Sequence, residues 1–268
     1  MPTAKTCSFL LFLFSFSTFL HAETGQFKQT FAVSRPVRID ISSGAGNITV
    51  HTSDDNLVHV VAVIHARDSA QWGGEKALAK IHNLEANPPI ERFGDNNLTI
   101  GKITDRDLQR NISIDYEITA PAQTRLTAET GSGDQSIDGL SLPLVVKTAS
   151  GKIALENISA NVHVETASGN VKLHDVRGGI RVQTASGNIY AEGKPASDWH
   201  IAAASGSVDL KVPTETSFNL DASTTSGTLG VKLPVSAQVS SPNHLQGKVG
   251  SGGVLIDLHT VSGNILID

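Results

Sequence analysis

Large rings are scarce in this 268-residue sequence. Aromatic residues make up 5% of it, and five of its nine phenylalanines (Phe9, Phe12, Phe14, Phe16 and Phe19) fall before Glu23. Beyond that point only Phe27, Phe31, Trp72, Phe93, Tyr116, Tyr190, Trp199 and Phe218 remain. A core so poor in rings must be filled by Val, Ile, Leu, Ala and Thr, which argues against an aromatic-walled ligand pocket. Positive charge is equally thin. With 21 basic and 26 acidic side chains the net charge is −5, and no basic block supplies the clustered cations that displace counterions from nucleic acid. There is one cysteine, Cys7.

The first segment reads as an address. Lys5 precedes an apolar run over residues 9–20, and Ala22 supplies a small residue at the cut site. This three-part pattern predicts a secretory signal peptide over residues 1–22. The run is too short for a span, which needs about 20 apolar residues. Cys7 stands before the run, which disfavours a lipoprotein. Cleavage would remove the only thiol, and with it disulfide, thiolate-metal and cysteine-nucleophile chemistry. No second apolar run of spanning length follows, so the expected product is exported, without a transmembrane segment.

What the sequence has in abundance is a repeat. Ser-Gly pairs place glycines at 133, 151, 169, 187, 206, 227, 252 and 263, spaced 18, 18, 18, 19, 21, 25 and 11. The best copies read Thr148-Ala-Ser-Gly-Lys-Ile, Thr166-Ala-Ser-Gly-Asn-Val and Thr184-Ala-Ser-Gly-Asn-Ile. Apolar residues alternate on both sides of each glycine, the period-two signature of strands. Val146, Val164, Val182 and Ile201 lie five places before it, and Ile153, Val171, Ile189, Val208, Leu229, Val254 and Ile265 two places after. Gly133, Gly151, Gly169, Gly187, Gly206 and Gly227 are therefore the expected structural turns, where glycine accepts positive φ at little steric cost.

No copy holds the dozen or so residues of a crossover helix. The expected fold is all-β: a parallel β-solenoid of about 18-residue, two-strand coils rising about 4.8 Å each. Thr148, Thr166 and Thr184, with Ser150, Ser168 and Ser186, would stack as hydroxyl ladders. An antiparallel meander shares the alternation, but a fixed coil length that keeps like residues in register favours the solenoid. Residues 37–50 look like a divergent rung. Residues 72–83 are the one predicted helix, with Ala77, Leu78 and Ile81 on one face and Pro88-Pro89 beyond. The expected organisation is a signal peptide at 1–22, a strand-rich capping region at 23–121 with one short helix, and the repeat region at 122–268, continuous with 31–121 as one domain. The last interval of 11 predicts a partial rung at the C-terminal end.

Ile112-Ser-Ile-Asp-Tyr-Glu-Ile-Thr-Ala-Pro121, Leu126-Thr-Ala-Glu-Thr-Gly-Ser-Gly-Asp134 and the serial Thr-Ala-Ser-Gly-Asn-Ile units resemble the bacterial adhesin-like domain family, a domain-of-unknown-function family of β-strand repeats. The likeness is close over residues 112–233 and thinner at 37–66 and 249–268. It implies a β-solenoid-like fold on an exported or envelope-associated protein with no established enzyme activity, and it transfers no functional residue.

Catalytic and cofactor signals are weak. The repeat serines are equivalent to one another and none sits in a Gly-x-Ser-x-Gly elbow. Phosphate-loop and dinucleotide fingerprints and a His-Glu-x-x-His pattern are missing. No catalytic residue and no cofactor is therefore expected. Two outward columns stand out. Glu156, His174 and Glu192 occupy equivalent positions on three successive coils. A histidine between carboxylates could hold a divalent metal, but Lys211 continues the column and favours a solvated charge ladder. His163, Arg181 and His200 could grip an anionic polymer. The first and last stand two coils apart, too far to share a metal. The expected function is a non-catalytic envelope or surface protein, periplasmic or extracellular, whose polar faces bind an envelope polysaccharide or a protein partner. The alternatives are a polysaccharide-active enzyme and a purely structural or sensory periplasmic scaffold.

Overall fold

The computed structural model describes residues 23–66, 73–109 and 111–268. The predicted signal peptide and Trp72, where the predicted helix begins, lie outside them. Each repeat is a rung of two short strands joined at its Ser-Gly corner. The Gly151 rung is Leu144–Ser150 and Ile153–Ile158, the Gly169 rung Val162–Ser168 and Val171–Val176, the Gly187 rung Ile180–Ser186 and Ile189–Gly193. Strands before the corner form a twelve-stranded leading sheet and those after it an eleven-stranded trailing sheet. Pairing is parallel and in register. Val146, Val164 and Val182 are neighbours, as are Thr148, Thr166 and Thr184, and Ile153, Val171 and Ile189. The solenoid reading holds, and the meander does not.

Inward columns from both sheets meet in one continuous core. Burying each Val, Ile or Leu contributes on the order of 1.5–3 kcal/mol. Trp199 takes the place of Ile180 in its column and is fully buried, with its Nε1 donating to Gly178 O at 2.8 Å. The threonines stack, but their hydroxyls do not chain to one another. Thr148 Oγ1 donates to Ser150 O at 3.0 Å, and Thr224 and Thr260 to Gly263 O and Gly206 O at 2.9 and 3.0 Å. The Ser150, Ser168 and Ser186 column faces solvent.

The corners explain the glycines. A Cβ on Gly151 would stand 2.0 Å from Gly133 O, and φ at Gly151 is +140°. Gly169 lacks that left-handed φ, yet a Cβ there would stand 1.9 Å from Gly151 O. Close backbone approach is thus the constant requirement, and positive φ accompanies it at only some corners. The next residue adds a second ladder. Asn170 Oδ1 accepts the Asn188 N–H and Asn188 Oδ1 the Ser207 N–H, each at 2.9 Å.

Order in space departs from order in sequence at both ends. The Gly46 rung (Val37–Ala45, Ile48–Ser53) lies between the Gly133 rung (Thr124–Ser132, Gln135–Asp138) and a rung made of Asn97–Ile100 and Ile112–Pro121. The C-terminal rung, Leu255–Ser262 with Ile265–Ile267, lies between the Gly206 rung (Trp199–Ser205, Val208–Lys211) and the Gly227 rung (Phe218–Ser226, Leu229–Val231). This corrects the expected partial rung at the end of the stack. Ile256 pairs with Trp199 in the leading sheet, so Ser251-Gly252 is not a repeat corner and Val254 does not follow one. An antiparallel hairpin, Val235–Ser241 with His244–Val249, extends the leading sheet past Phe218–Ser226 and returns the chain to the gap.

The N-terminal end is closed by antiparallel strands Glu23–Ala32 and Leu57–Ala66 and by the helix Gly73–Ala86. Ala77, Ile81 and Leu84 form its buried face. Leu78, expected on that face, is 40% exposed, because it lies about 100° around the helix from Ala77. A second, four-residue helix spans Arg106–Gln109.

Two outcomes follow from this packing. Gly151→Ala should lower stability in urea by about 1–3 kcal/mol, while the exposed neighbour change Ala149→Ser stays within about 0.5 kcal/mol. Ending the chain at residue 254 should remove amide-exchange protection across residues 218–249 as one unit. Fraying limited to the strand next to the deletion would mean the C-terminal rung is not wedged.

Candidate functional site

In the leading sheet the residues two and four places before each corner glycine point outward. Gly131, Ala149, Ala167, Ala185 and Ala204 form a floor of small side chains, and Glu129, Lys147, Glu165, Gln183, Ala202 and His259 stand beside it. A groove of about 1110 Å³ follows these columns from Ser42 to Val261. It crosses seven rungs, or about 30 Å at the strand spacing. Alternation forces these residues outward, and the parallel register turns one small residue per rung into a continuous channel.

Charge in the groove is internally matched. Lys147 Nζ lies 3.0 Å from Glu165 Oε2, and His163 Nε2 lies 2.7 Å from Glu165 Oε1. Hydrogen bonds from His163 and Lys147 hold the Glu165 carboxyl below the ordinary glutamate value, and the same contact raises Lys147. The column His163, Arg181, His200 is assembled in register, but its histidines are committed. His163 holds Glu165, and His200 Nδ1 holds Asp257 Oδ2 at 3.2 Å. The Arg181 guanidinium makes no hydrogen bond or ion pair among the described residues and is exposed. At the far end of the groove Ser223 Oγ lies 3.0 Å from His259 Nδ1. No carboxylate among the described residues orients that ring, as a nucleophile's base requires.

On the trailing face Glu156 and His174 are direct neighbours, but the column divides. Glu156 lies 3.7 Å from Lys172 Nζ, whereas His174 Nδ1 lies 3.2 Å from Glu192 Oε2. Tyr190 OH donates to that same Glu192 oxygen. The bond lowers Glu192 and pushes Tyr190 up to about 12. Among the described residues no three His, Cys, Asp or Glu side chains are arranged to hold a metal ion. Sequence reasoning missed the alanine floor, although the Ala of every Thr-Ala-Ser-Gly unit was its signal. It also missed the link from Tyr190 to Glu192, two places apart on one strand.

No helix among the described residues is long and apolar enough to cross a membrane. No curated protein matches the sequence. Solved bacterial structures are similar, among them the following three. A candidate cell adhesion protein from Clostridium sporogenes shares 10% identity over 91% of this chain and 99% of its own, with a TM-score of 0.39. A candidate adhesin from Bacteroides fragilis shares 15% over 91% and 97%, with a TM-score of 0.43. A candidate adhesin from Parabacteroides merdae shares 11% over 91% and 96%, with a TM-score of 0.33. Such scores carry no argument about function. Residues 92–268 match the Toastrack family DUF4097, a stretch that holds every corner glycine from Gly133 onward, and the chain belongs to that family.

Proposed function

We propose that this protein is an exported, non-catalytic envelope or surface protein that binds an extended polymer, an envelope polysaccharide, along the leading-sheet groove. The observation that carries this reading is the groove itself: about 1110 Å³, floored by a glycine or alanine on five successive rungs. A flat channel with a repeat of about 4.8 Å suits a chain-like ligand better than a compact one. Export rests on the signal-peptide pattern at 1–22, which leaves Glu23 as the first residue of the mature chain. A protein partner is the other occupant of such a face.

The test uses the mature chain on an array of envelope polysaccharides, with titration of any hit. Ala167→Trp fills the floor from an exposed position, so it should leave unfolding unchanged and weaken binding by about tenfold or more. Unchanged affinity would remove the groove from the function. New reducing ends would establish the enzyme alternative and overturn the non-catalytic reading.

The matched charges give a pH expectation. Because the Glu165 carboxyl is depressed in the folded protein, its pairing contributes above the unfolded glutamate value and is lost as pH falls through the lower folded one. Side-chain carboxyl NMR should show Glu165 titrating below ordinary glutamates, and Lys147→Ala should move it back upward.

A further inference from the structure

We infer that the trailing face carries a second binding site, centred on Tyr190, for a neutral, hydroxyl-rich sugar unit. The site goes beyond the leading groove and does not depend on it.

Tyr190 is the aromatic residue of its outward row, which reads Ala154, Lys172, Tyr190, Asp209 across four rungs. Its ring is fixed in place. The hydroxyl donates to Glu192 and Lys211 Nζ sits 5.4 Å from the ring centroid. A cavity of about 620 Å³ opens over the ring, lined also by Asn170, Lys172, Asn188 and Asp209.

The polar groups around the ring suit hydroxyls. Asn170 and Asn188 each spend their side-chain oxygen on a backbone N–H of the next rung. That bond fixes both amides and leaves their NH₂ groups as donors with no partner among the described residues. Asp209 also lines the cavity, and its carboxylate makes no hydrogen bond or ion pair among the described residues, so it offers an acceptor to a ligand hydroxyl. A pyranose presents an apolar C–H face for the ring and hydroxyls at its rim for these groups, matching an apolar platform with a few placed polar atoms. The lining sets Asp209 and Glu192 beside Lys172 and His174, so neither sign of charge dominates and the assignment is to a neutral sugar. Holding the ring and both amides before binding removes ordering cost from association.

The test titrates the mature chain with maltohexaose, cellohexaose and N-acetylchitohexaose, each to about 10 mM, the weak end of measurable affinity. At least one should shift the Tyr190 ring and the Asn170 and Asn188 side-chain amide signals. Tyr190→Ala should weaken that affinity by about tenfold, Tyr190→Phe should keep most of it, and Asp209→Asn should weaken it without loss of fold. Ala167→Trp, on the opposite face, should leave it unchanged, so failure here is separable from failure of the leading groove. No shift with any of the three sugars, or equal affinity in Tyr190→Ala, would overturn the assignment.

Discussion

The architecture depends on one contact, the seating of each corner glycine against the carbonyl oxygen of the corner below. At 1.9–2.0 Å from a virtual Cβ at Gly151, Gly169 and Gly187, no side chain is compatible with it. That approach sets the height of a rung and locks the phase of every residue relative to the corner. Valines then meet valines inside, alanines meet alanines outside, and each Asn after the glycine finds a backbone N–H at the same place one rung on. The groove and the Tyr190 cluster are therefore products of register. Each is assembled from residues about eighteen apart that a local motif search does not connect.

A stack of parallel strands leaves four open edges, and each is blunted by a different device. On Glu23–Ala32 the Gln26 N–H is taken by Glu85 Oε1 at 2.9 Å, from the covering helix. Ile90–Phe93 is four residues long and carries Glu91 and Arg92. Leu229–Val231 is only three residues long. Val235–Ser241 is uncharged, but Pro234 and Pro242 flank it and its pairing shifts between Ala237 and Val239. Edge-to-edge pairing with another chain is thus opposed at both ends of the stack.

Much of the fold was legible because the repeat constrains many residues at once. The burial of Trp199 followed from its alignment with Ile180, and the parallel register from the constancy of the eighteen-residue interval. What was hidden had a physical reason. Intervals of 25 and 11 around Gly252 concealed a hairpin insertion, since spacing alone does not distinguish a distorted coil from a detour. Leu78 was misplaced because the buried stripe centres on Ala77, Ile81 and Leu84, and Leu78 lies at its margin, about 100° around the helix from Ala77. The division of Glu156, His174 and Glu192 could not be read, because it depends on Lys172 and Tyr190 reaching across and along strands. The placement of Arg181 between two committed histidines is of the same kind.

The wedged C-terminal rung bears on how the protein is made. Synthesis proceeds from the N-terminus, so the residues that fill the space between the Gly206 and Gly227 rungs emerge after both of those rungs. Until they do, Phe218–Ser226 has no parallel neighbour, and the Gly206 rung ends the ordered stack. The growing chain can therefore mature as far as the Gly206 rung in sequence order, but residues 212–268 close in a single step. A chain cut before residue 255 lacks an interior layer of the stack, not an ornament at its edge.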